Sequence, residues 1–95
     1  MEFLIRRTDG EWFDFHRDLF LAVLKPASYA SRPVQGWGDH RIEVEGVQVA
    51  FSFEDPGIQV SFDGQIEAAK AARIVEEILA SIERSTGQHG TAVLL

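Results

Sequence analysis

Asp39, His40 and Arg41 set a carboxylate, an imidazole and a guanidinium side by side, directly after Gly36-Trp37-Gly38. An acid, a group able to act as general base and an anion-binding cation could together move a proton on a bound anion. His16 and His89 could converge on them in the folded chain. Nucleophilic catalysis has less behind it: none of the six serines lies in a Gly-x-Ser-x-Gly setting, and cysteine is absent from the sequence. If a strand has begun by Asp39, that residue and His40 point to opposite faces and rarely act on one atom. A small domain also seldom holds the deep pocket an enzyme needs. No two of His16, His40 and His89 have the spacing that places two metal ligands together, so neither a metal nor a cofactor is expected.

The same residues also read as a recognition surface. Trp37 between two glycines is expected to fold back over the open end of the apolar core, because a small core gains much from one buried indole. The other position for it is outside, as a binding anchor. Glu43 and Glu45, at i and i+2, are expected to share one face of a strand with Gln48, Ser52, Gln59 and Ser61, forming a polar platform. The group Glu43, Glu45, Glu54, Asp55 and Asp63 has an ordinary reading too: outward charge keeps a sheet soluble and its edges unpaired.

Several elements must position these groups. Glu2–Arg7 and Glu11–Phe15 flank Thr8-Asp9-Gly10, a pattern that predicts a first hairpin. Leu19, Phe20, Val23 and Leu24 recur at helical spacing before Pro26, which predicts a short helix from about Arg17 to Lys25. Residues 27–38 have no period and are rich in Ser, Gly and Pro, so they read as a long loop. Apolar residues then alternate with polar ones through Arg41–Glu45, Val47–Phe53 and Ile58–Asp63, predicting a three-stranded meander with one wet face. Glu45-Gly46 suits a two-residue turn. Asp55-Pro56-Gly57-Ile58 suits a type II turn with positive φ at Gly57.

Glu67–Ser85 carries a continuous apolar stripe through Ala71, Ile74, Ile78 and Ile82, the pattern of an amphipathic helix, and Thr91–Leu95 reads as a closing strand. The fold class expected is therefore α+β: one domain over residues 1–95, in the order β-β-α-β-β-β-α-β. Its antiparallel or mixed sheet has a longer C-terminal and a shorter N-terminal helix on the face lined by Ile42, Val44, Val49, Phe51, Val60 and Phe62.

The chain has 95 residues and a formal net charge of −6. Residues 34–64 hold one base, Arg41, against Asp39, Glu43, Glu45, Glu54, Asp55 and Asp63. Such a surface repels phosphate backbones and argues against a nucleic-acid partner. The longest apolar run, Leu19–Leu24, is too short to cross a bilayer, and the N-terminus lacks the layout of a signal peptide. The expectation is a cytoplasmic protein with no membrane partner.

Together these features predict a non-enzymatic module that binds a basic protein surface, through Trp37, Asp39, His40, Arg41, Glu43 and Glu45. Small acidic immunity, antitoxin or adaptor proteins act in this general way, an analogy of size and charge alone. The alternative is a small-ligand site or weak enzyme built from loop 27–41, using Trp37, His40 and Arg41. An edge strand could also pair with a second copy of the chain.

Overall fold

In the computed structural model, which describes residues 1–54 and 56–95, alternation and helical periodicity resolve into one sheet with two helices on one face. The strands are β1 (Glu2–Arg7), β2 (Ser31–Pro33), β3 (His40–Val44), β4 (Val47–Glu54), β5 (Gly57–Asp63) and β6 (Gly90–Leu94). Their spatial order is β2-β3-β4-β5-β1-β6, and every neighbouring pair is antiparallel. The predicted α+β class holds, with a six-stranded sheet among the described residues.

The meander forms as its alternation requires. Val44 pairs with Val47, and Glu45 and Gly46 between them take φ of 50° and 82°, the positive pair of a type I′ turn. Between β4 and β5, Asp55 lies outside the described residues. Gly57 opens β5 without the expected positive φ. A Cβ at Gly57 would instead overlap the Ile5 carbonyl, so close approach to β1 is what excludes a side chain there.

α2 (Ala68–Thr86) buries Ala71, Ile74, Val75, Ile78, Leu79 and Ile82 in one cluster with Ile42, Val44, Val49, Phe51, Ile58, Val60 and Phe62. Each such fully buried aliphatic or phenyl group contributes about 1.5–3 kcal/mol, which makes this cluster the main source of stability. The helix ends where Gly87 takes φ 73° and returns its amide to the Glu83 carbonyl. The predicted N-terminal helix is a 3-10 turn, Arg17–Leu19, running into a four-residue α1, Phe20–Val23. It docks on α2 through Phe20, Val23 and Leu24, and the buried Ser81 hydroxyl donates to the Val23 carbonyl at 2.7 Å.

Two expectations need correction. Thr8-Asp9-Gly10 does turn the chain, with the Gly10 amide on the Arg7 carbonyl, but Glu11–Phe15 forms no second hairpin strand. β1 lies between β5 and β6, so both of its edges are already paired. The element order is consequently β-α-β-β-β-β-α-β. The strand missing after β1 reappears as β2, inside the segment 27–38 expected to be loop.

Candidate functional site

The sheet has two faces with different fates. His40, Ile42 and Val44 of β3 point toward the helices; Arg41 and Glu43 point to the uncovered face, in register with Ala50, Gln48, Ser61 and Asp63. On that face Arg41 is nevertheless only 6% exposed. Its Nε donates to Gln48 Oε1 and its Nη2 to Asp63 Oδ2, each at 2.7 Å, so the guanidinium is held in place across β3, β4 and β5. Among the described residues Nη1 is buried without a partner.

The cover over Arg41 is the loop 34–39. Gly36 rests directly on the Arg41 side chain, and the indole of Trp37 stands 5.4 Å from the guanidinium carbon. At Gly38 the backbone takes φ 101°, and a Cβ there would sit 2.9 Å from the Phe51 carbonyl oxygen. Only glycine lets the chain pass this close to β4 in that conformation. The Asp39 carboxylate then fixes the loop's end: Oδ2 accepts the Phe53 amide at 2.7 Å, and Oδ1 lies 3.6 Å from Arg17.

Trp37 is therefore not a plug. It is 57% exposed and sits on the face away from the core, correcting the expectation that it closes the apolar sheet face. The reason is Arg41, which gives the indole a flat cationic seat on the polar side. The core end near the loop is filled by other rings: Phe20 stacks on Phe53 at 4.9 Å, Phe15 meets Phe53 at 5.5 Å, and His40 lies between Phe20 and Phe51.

The constellation Asp39-His40-Arg41 is thus divided by strand alternation. His40 belongs to the aromatic cluster, with Nε2 buried and unpartnered among the described residues, and burial pushes its pKa below the ordinary imidazole value. Arg41 belongs to the open face with Trp37. His16 accepts the Asp18 amide at its Nδ1, and His89 lies 3.4 Å from Glu83, so neither is held in the His40 cluster. Among the described residues no group of three or more His, Cys, Asp or Glu could hold a metal ion.

The acidic residues are placed differently from the expected platform. Glu43 is on the open face but accepts from Arg32 of β2 at 3.0 Å. Glu45 leaves that face at the turn and pairs with Lys70 of α2 at 2.6 Å, a contact that raises the lysine's pKa. The two glutamates therefore do not share a face. With Asp39 beside Arg17 and Asp63 on Arg41, four carboxylates of the negative segment have basic partners. Three of those partners, Arg17, Arg32 and Lys70, come from outside the segment. The polar members hold their positions: Gln48, Ser52, Gln59 and Ser61 share the open face, where Gln59 donates to Glu2 at 2.6 Å. Sequence reasoning missed Asp63 and Gln48 as a clamp on Arg41, although their place on the face of Arg41 follows from strand alternation.

No helix among the described residues is long and apolar enough to cross a membrane. No family model, curated protein or solved structure matches the chain.

Proposed function

We propose that the chain is a non-enzymatic protein-binding module whose contact surface is the open face of the sheet, centred on Trp37, and whose partner presents a basic surface. The observation that carries this reading is the pinned, outward indole: Trp37 is 57% exposed yet seated on a guanidinium that Gln48 and Asp63 hold in place. An exposed tryptophan resting on a fixed group loses less entropy on binding than one standing free, and tryptophan is a common interface hot spot.

The surrounding amides and hydroxyls of Gln48, Ser52 and Gln59 supply hydrogen bonds, and Asp63 keeps most of its carboxylate in water, 65% exposed. The net charge of −6 draws a basic partner from a distance, although most local carboxylates are already paired. The indole's outer face suits a lysine or arginine of that partner. The alternative small-ligand site keeps Trp37 and Arg41 but loses His40 to the other side of the sheet.

The test is affinity capture from lysate of the source cells, with wild type and Trp37→Ala as parallel baits and the captured protein identified by mass spectrometry. A partner with a basic surface should be retained by wild type and lost by the variant. Equal capture by both baits removes the indole from the interface, and a partner with an acidic surface removes the charge part of the proposal.

A further inference from the structure

The strand β6 carries a second, independent feature. It is bonded on one side only, to β1: the Thr8 amide donates to the His89 carbonyl and the Leu95 amide to the Glu2 carbonyl, both at 2.9 Å. With Phe3 opposite Leu94 and Ile5 opposite Ala92, this phase turns the backbone groups of residues 89, 91, 93 and 95 toward β1. Those of residues 90, 92 and 94 point away from the sheet. The Gly90 amide is taken by Glu83 Oε2 at 3.2 Å, which leaves Ala92 and Leu94 as the open edge. Around them Val93, Leu94 and Leu95 are 39%, 60% and 66% exposed.

We propose that this edge pairs antiparallel with β6 of a second copy, about a twofold axis at Val93. That register uses the free groups of Ala92 and Leu94: the amide and carbonyl of Ala92 exchange bonds with Leu94 of the second copy, and Leu94 with its Ala92. Val93 then faces its own counterpart on the open face as a close, non-bonded pair, and Leu94 packs beside Ala92 of the other copy on the opposite face.

Local charge does not oppose a second copy here in spite of a net −6 on each chain. Residues 90–95 contain no charged side chain, and the acidic segment 34–64 lies on β3, β4 and β5. The strand next to the interface, β1, brings Arg6 and Arg7 with Glu2. Two chains meeting at β6 therefore hold their acidic halves at opposite ends of a continuous sheet. The other edge cannot propagate the pairing, since β2 is three residues long, charged at Arg32 and ended by Pro33. The contact is isologous and closes as a dimer. Because its axis stands perpendicular to the sheet, both Trp37 faces lie on one side, ready for a bivalent or extended partner.

Sedimentation of the purified chain from micromolar to submillimolar concentration should give a mass reaching twice 10.6 kDa. In a chain without native cysteine, Val93→Cys should cross-link on mild oxidation, because Cα atoms of a non-bonded antiparallel pair lie about 4.5 Å apart, within disulfide reach. Ser52→Cys, on the same face but away from the edge, should remain monomeric on a reducing-agent-free gel. Val93→Lys places like charges directly opposite and should weaken association at least about tenfold with an unchanged circular dichroism spectrum. Ala92→Pro should do the same, since its amide is not used by β1. A monomer across the whole range, equal cross-linking at both cysteines, or an undiminished dimer in Val93→Lys overturns the proposal.

Discussion

Arg41 and Asp63 are bonded at 2.7 Å across the open face, but only one of them is buried: the arginine side chain is 6% exposed and the carboxylate 65%. Removing one partner is therefore not equivalent to removing the other. Asp63→Ala leaves a guanidinium under the 34–39 loop with both Nη1 and Nη2 unpaired among the described residues. Arg41→Met removes the charge and leaves a carboxylate that water already solvates. Asp63→Ala is expected to cost about 1–3 kcal/mol of unfolding free energy, the range for a buried polar group left without its partner. Arg41→Met is expected to cost less. Urea unfolding of both variants decides it, and an equal or reversed order would show that the unpaired buried guanidinium does not dominate the cost, the loss of the Gln48 and Trp37 contacts to Arg41 outweighing it.

Trp37→Ala should cost no more than about 2 kcal/mol, since the indole is mostly in water and its contact with the buried Arg41 guanidinium is a single cation–π pair. Thermal unfolding measures it directly. A loss of several kcal/mol would mean that Trp37 supports the fold and is not free to act as a contact residue.

Much of this architecture was legible in the residues. Strict alternation located β3, β4 and β5, and the stripe Ala71–Ile82 located α2, because each pattern is local and each element buries a single face. The first hairpin failed for a non-local reason. Asp9-Gly10 makes its turn, but β1 pairs with β5 and β6, strands far away in the chain, and no local signal registers that competition. Trp37 was misplaced for a related reason: a loop has no period, so the face its side chain reaches depends on what it meets. The signal for the true position was Arg41 itself, a cation between inward Ile42 and His40 and hence on the polar face. Glu45 shows the limit of counting i and i+2, since β3 ends at Val44 and the turn sends the next side chain to α2.

Gly38→Ala should destabilise the chain by about 1–3 kcal/mol, the ordinary cost of forcing a side chain into a sparsely populated backbone conformation. The φ of 101° is unfavourable for any L residue, and the added Cβ would press on the Phe51 carbonyl oxygen. The loop must shift to relieve this, so Trp37 should also become more mobile, read in a Trp12→Phe background as a drop in its fluorescence anisotropy. Placing alanine at Gly10, where φ is 80° but open space surrounds the position, keeps the torsional cost without the clash. Unfolding midpoints for the two variants that coincide would remove the close approach to β4 from the account of the loop.

His40 predicts a pH dependence whose sign follows from its surroundings. Burial between Phe20 and Phe51 disfavours the charged imidazole, so its folded pKa lies below the value of about 6.5 that a solvated imidazole has in the unfolded chain. Between those two values the unfolded state binds more protons than the folded one, and stability therefore rises with pH. His40's contribution is complete above about pH 6.5 and is lost progressively as the pH falls toward the folded value. His40→Phe keeps a ring between Phe20 and Phe51 and removes the titrating group. Urea midpoints measured from pH 7.5 down to about 5, across the window in which histidine titrates, should fall less steeply for this variant than for wild type, and the difference between the two profiles isolates His40 from His16 and His89. Parallel profiles would mean that the imidazole is as well solvated in the folded protein as in the unfolded chain.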